Sequence, residues 1–108
     1  IDGAANPYLA CAVMLAAGLD GIEKKTNPGE RNEDNLYQVP EGELRQRNIH
    51  FLPSTLREAC DWLEGDEVVR QALGTEYADY YIDCKREEWR DYHQSVTDWE
   101  RDRYLPIY

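Results

Sequence analysis

Few residues of this chain are of a type and spacing that could do chemistry. The histidines are His50 and His93, far apart, one in a connector and one on a polar stretch of a long helical pattern. Neither has a Cys, His, Asp or Glu at ligand-like spacing, so the pattern argues against a metal site. A nucleophile needs a base beside it and a third group to orient that base. Ser54 reads as a helix cap, Ser95 as helix surface, and Cys11 lies in an apolar run. Acid–base work by paired carboxylates needs two of them facing each other in a dry pocket. Nothing in the spacing brings Asp20, Glu23 and Glu30 together. No glycine-rich loop could cradle phosphates, and Asn27-Pro28-Gly29 reads as a turn. The residues by themselves nominate no catalytic, cofactor-binding or metal-binding side chain.

Bulk properties narrow the function classes further. The 108 residues suit one small domain with a modest core. Twelve basic residues against twenty-two acidic ones give a net charge of −10. A surface for nucleic acid or an anionic membrane needs the opposite sign, so the charge reads as solubility. Cys11, Cys60 and Cys84 are an odd number at wide spacings, each among apolar helical neighbours. They read as buried free thiols rather than disulfides, which favours a reducing, cytoplasmic setting. The apolar run near the start lacks a basic flank and opens with Asn-Pro, unlike a secretory signal. It is also too short and Ala-rich to span a membrane, which takes roughly 20 apolar residues. Ile1 stands just before a helix that reads as buried, so the expectation is a piece of a longer protein, or a processed product.

Helices must position whatever this chain contributes. Asn6 as N-cap and Pro7 in the first helical position predict a helix to Lys24 or Lys25. Leu9 to Ala17 carries no charge. A helix apolar on every side is a buried one, so this stretch is expected to anchor the fold, with the rest as a shell. Glu41 to Arg47 favours a short helix. Ser54 or Thr55 can cap the next, Thr55-x-x-Glu58 fits a capping box, and Leu56, Ala59, Cys60 and Leu63 form one apolar face. Gly65 ends that helix, Asp66 caps another carrying Val68, Val69, Ala72 and Leu73, and Gly74 stops it. Thr75 is expected to cap the longest helix, roughly Glu76 to Ser95. Its stripe of Tyr77, Tyr81, Ile82, Cys84, Trp89 and Tyr92, continued by Val96 and Trp99, reads as core. The face with Asp83, Lys85, Arg86, Glu87, Arg90 and Asp91 reads as solvated. Thr97-x-x-Glu100 is a second capping box, opening a last helix from Asp98 to Leu105.

Several stretches resemble a known family. Gly3 to Ile22 closely resembles the catalytic-domain segment of glutamine synthetases, which carry a close variant of A-N-P-Y-L-x-x-A-x-x-L-x-A-G-L-D-G-I. Lys25 to Pro40 resembles the family's loop with its P-G-E and N-L-Y signatures. Leu52 to Leu63 resembles its L-P-x-S-L-x-E-A-x-x-x-L helix, and Asp83 to Trp99 its last long helix. The resemblance covers nearly the whole chain but only the C-terminal part of those enzymes. It implies a mainly α fold, a helical C-terminal segment of an α+β catalytic domain with no convincing sheet of its own. Residues 1–108 would form that one unit, with an exposed loop over 27–40 and a tail over 97–108.

The resemblance also implies a reaction: amidation of the glutamate γ-carboxylate by ammonia, driven by ATP through γ-glutamyl phosphate, with Mg2+ or Mn2+ stabilising phosphoryl transfer. The family's residues for that chemistry lie upstream of the Asn-Pro-Tyr helix, so none is carried over and the chain alone is expected to be inactive. One family feature does map here. Some bacterial members are adenylylated on the Tyr of N-L-Y, which matches Tyr37, although Thr26, Asn32 and Asp34 depart from the regulated pattern and Glu33 adds a neighbouring charge. The stretch Val96 to Leu105 resembles tails of family members that ligate glutamate to amines or polyamines. Family members form stacked rings, and Tyr104, Leu105, Ile107 and Tyr108 would suit ring-to-ring contact. The expected partners are therefore glutamate, ammonia or an amine, and further copies of the chain. A free-standing helical interaction module is the alternative from another class.

Overall fold

The computed structural model describes residues 3–107, so Ile1, Asp2 and Tyr108 lie outside the described residues. In chain order it contains α1 (Pro7–Glu23), a 3-10 turn (Leu36–Gln38), α2 (Glu41–Gln46), α3 (Leu56–Gly65), α4 (Glu67–Leu73), α5 (Thr75–Gln94), α6 (Asp98–Tyr104) and a closing 3-10 turn (Leu105–Ile107). Among the described residues there is no strand. The mainly α reading therefore holds.

Local chemistry sets the helix ends. The Asn6 side chain accepts the backbone N–H groups of Tyr8 and Leu9 at 3.0 and 3.3 Å. Thr55 accepts the Glu58 N–H at 3.2 Å, but the Glu58 carboxylate reaches Ser54 instead of Thr55, taking its N–H and its hydroxyl at 2.8 Å each. Both candidate caps of α3 are thus used, one from each side of a shared box. Asp66 caps α4, accepting from Val69 at 3.0 Å, and Gly74 closes it with φ +82°, a conformation side-chain-bearing residues avoid. Thr75 does not cap α5. It is the first helical residue, Gly74 takes the cap position, and no side chain bonds there. At α6 the Thr97–Glu100 capping box forms in full.

The first correction concerns α1. No residue of this most apolar helix is buried, and Tyr8, Met14, Leu15, Leu19 and Ile22 stand exposed. Among the described residues its packing partner is α4. A seven-residue helix covers one side, leaving a half-buried stripe through Leu9, Val13, Ala16 and Asp20. The core instead lies where α5 crosses α3, with Cys60, Ala78 and Ile82 buried there and Leu44 buried in α2. The radius of gyration is 18.6 Å, whereas a compact domain of this length measures about 13 Å. The chain is an open helical layer.

The aromatic stripe divides in the same way. Near the crossing Tyr81, Cys84 and Trp89 are half-buried, whereas Tyr92, Val96 and Trp99 are exposed because, among the described residues, α6 packs mainly on its own closing turn. The three thiols are free, but only Cys60 is buried; Cys84 is half-buried and Cys11 sits exposed on the uncovered helix. Arg86 is a further correction. Read as solvated, it lies half-buried against α3.

Candidate functional site

Two regions place polar side chains deliberately. One is the clamp between α3 and α5. The Arg86 guanidinium reaches across to Asp61 at 2.6 Å and to Glu64 at 2.7 Å. Its hydrogen bonds hold the Glu64 carboxyl below its ordinary value and keep the guanidinium firmly charged. Burial pushes the Cys60 thiol up, keeping it protonated and unreactive. The clamp orients two helices and presents no nucleophile.

The other region is the segment carrying Tyr37. Asn35 folds it, its side chain accepting the Tyr37 N–H at 3.2 Å and its carbonyl accepting the Gln38 N–H at 2.9 Å. The result is a one-turn 3-10 helix within the stretch expected as an exposed loop. The Asn at its head was the available signal. Leu36 is partly exposed, and the Tyr37 side chain stands fully in solvent. The acidic neighbours are neutralised: Glu33 pairs with Arg31 at 2.9 Å, and Asp34 with Arg47 at 2.5 Å. Arg47 also holds Glu43 of α2 at 2.5 Å, so the segment is tied to that helix. Tyr37 is thereby an accessible phenol on a braced turn.

The remaining candidates are structural. Ser54 is spent on Glu58, and the Ser95 hydroxyl donates to the Asp91 carbonyl at 2.9 Å. Asp20 pairs with Lys24 at 2.8 Å rather than with Glu23 or Glu30. His50 contacts Asn48, while His93 bonds the Trp89 carbonyl at 2.8 Å and its ring lies tilted against the Trp89 ring. Among the described residues, no three His, Cys, Asp or Glu side chains converge in a way that could hold a metal ion. The donor set present does not fit the divalent ions that the resemblance implies. No helix among the described residues is long and apolar enough to cross a membrane.

In type the described residues form an open layer of capped helices that leaves the apolar side of α1 uncovered. Comparison gives the family. The model of the glutamine synthetase catalytic domain matches residues 1–104, and the chain belongs to that family. The glutamine synthetase of Thermus thermophilus is 48% identical over 107 residues, covering 99% of this chain and 24% of the relative. That of Methanocaldococcus jannaschii is 48% identical over 104 residues, covering 96% and 23%. A solved structure described as apo GmaS without ligand superposes with a TM-score of 0.77 at 44% identity, covering 96% of this chain and 24% of that one. The chain thus spans about a quarter of the length of these relatives.

Proposed function

We propose that this chain is the C-terminal helical part of a glutamine synthetase-type ligase, which amidates the glutamate γ-carboxylate with ammonia through γ-glutamyl phosphate. The carrying observation is the family match over residues 1–104 by a chain that spans about a quarter of its relatives. ATP and Mg2+ or Mn2+ are held outside these residues, and the chain alone is inactive. Its role is architectural. The uncovered faces of α1 are the surface against which the rest of the catalytic domain packs, and the exposed Trp99, Tyr104, Leu105 and Ile107 serve contact with further copies in the cytoplasm.

Tyr37 is the regulatory position in this reading. Its exposure and braced turn suit nucleotidyl transfer: the hydroxyl oxygen attacks the α-phosphorus of ATP, pyrophosphate leaves, and the phenolic proton passes to solvent. A second reading, with an amine or polyamine in place of ammonia, rests on the resemblance of Val96 to Leu105 to the tails of such ligases.

A chimera tests both. The corresponding segment of the Thermus thermophilus enzyme is replaced by this chain, and glutamate-dependent phosphate release from ATP is followed with ammonia and with methylamine. Ammonia-dependent release supports the first reading, and preference for methylamine the second. A folded, assembled chimera inactive with both would overturn the ligase role.

A further inference from the structure

The pairing of the arginines singles out one groove. The chain has nine arginines and twenty-two carboxylate side chains. Arg31, Arg45, Arg47, Arg70, Arg86 and Arg101 each hold a carboxylate. Arg103 stands over the Trp99 ring. Among the described residues only Arg57 and Arg90 have no such partner. In a chain this acidic, an unpaired acid is ordinary and an unpaired guanidinium is not. Arg57 comes from α3 and Arg90 from α5, yet both line the same groove of about 690 Å³ between those helices.

The rest of the groove narrows the ligand. Tyr80 and the half-buried Trp89 line it with aromatic rings, and the His93 ring lies tilted against that of Trp89 with centres 3.6 Å apart. Asp83 and Glu87 lie on the same helix and also line the groove without a cationic partner. Guanidinium forks bind oxyanions bidentately, and aromatic walls take a planar or apolar body. Two carboxylates without a cationic partner in the same groove disfavour a second negative charge on the ligand. We infer that this groove is a binding site for a small organic monoanion, a carboxylate on an aromatic body, with Arg57 and Arg90 taking the carboxylate and Tyr80 and Trp89 the ring. The site neither uses nor requires the ligase reading, since none of its residues has a role there.

Calorimetric titration of the intact protein with indole-3-propionate tests this, with the neutral amide of that acid and inorganic pyrophosphate as controls. The acid should saturate one site, and the amide and pyrophosphate should bind at least about tenfold more weakly, as loss of a charge-assisted contact or added repulsion requires. Arg57→Gln and Arg90→Gln should each weaken the acid about tenfold. Neither arginine carries an ion pair that supports the fold, and an unchanged thermal midpoint in each variant verifies this. Asp83→Asn with Glu87→Gln should let pyrophosphate bind more tightly. No saturable binding of the acid, equal binding of acid and amide, or indifference to both arginine substitutions would overturn the site, whatever the outcome of the ligase assay.

Discussion

The α3–α5 crossing and α1 behave oppositely to their compositions. α1 is the most apolar helix and has no fully buried residue, while α5 is crowded with charge and supplies Ala78 and Ile82 to the core. Apolar character states a demand for burial; a fold meets it only where a second element of matching length and face lies opposite. α3 offers such a face in Leu56, Ala59, Cys60 and Leu63, and Arg86 fixes the crossing from the rim. α4 is too short to do the same for α1.

That contrast is sharpest in truncation of single side chains. Ile82→Ala should cost about 2–4 kcal/mol, the usual loss for a buried aliphatic side chain. Leu15→Ala, on the exposed side of α1, should fall within about 0.5 kcal/mol in the 108-residue chain. Denaturant titration of both variants checks the pair. Equal losses at concentrations low enough to keep the chain monomeric would mean that α1 has folded back onto a partner within the chain. The exposed apolar side of α1 should also make the chain self-associate and bind an apolar dye, and Leu15→Glu with Leu19→Glu should suppress both. A clean wild-type monomer that binds no dye would remove the contrast.

Helix ends give the next effect. Thr97→Ala should cost about 1 kcal/mol by removing half of the box that starts α6. Because α6, among the described residues, packs mainly on its closing turn, the loss should appear as local fraying in amide exchange around residues 98–104 and leave the α3–α5 midpoint unchanged. The same substitution at Asn6 should fray α1 from its start.

The clamp itself is the subtler lever. Its ions are partly exposed, so Arg86→Met should cost little, and the loss should shrink in high salt. Its pH signature is more distinctive. Arg86 holds the Glu64 carboxyl below its ordinary value of 4.5. On acidification the unfolded chain takes up that proton first, so the contribution is complete above 4.5 and disappears as pH falls through the depressed value. Arg86→Met should therefore flatten the fall of the thermal midpoint on the acid side. The carboxyls of Glu58 and Glu100, lowered by Ser54 and Thr97, should leave a residual slope in the variant.

Much of this was legible in sequence, and the failures share one cause. Caps act within four residues, so Asn6, Thr55, Asp66 and Thr97 announced themselves. The face of α3 was readable from its spacing. Burial of α1, Cys11 and the far end of the α5 stripe was misjudged because burial depends on what lies opposite, which periodicity does not encode. Arg86 was misplaced for the same reason, since its partners Asp61 and Glu64 lie on another helix. The groove with Arg57 and Arg90 was illegible because it is defined by partners the other arginines have and these two lack. The turn under Tyr37 had its signal in Asn35, whose side chain caps it inside a stretch expected as loop.

Tyr37 offers the smallest stability effect and, for that reason, the clearest functional test. Its side chain is fully exposed, and the turn is held by the Asn35 side chain and by backbone. Tyr37→Phe should leave the thermal midpoint and the helical content unchanged. Removal of the hydroxyl eliminates the only atom at that position able to accept a nucleotidyl group. Incubation of the intact protein with radiolabelled ATP and a bacterial nucleotidyl transferase should then label the wild type and spare the variant. Asn35→Ala should weaken labelling while keeping the phenol, because the turn that presents it loses its cap. Labelling of Tyr37→Phe at the wild-type level would place the acceptor elsewhere. A wild type that stays unlabelled would leave Tyr37 as an exposed side chain of the loop, with the braced turn serving only to tie that loop to α2 through Arg47.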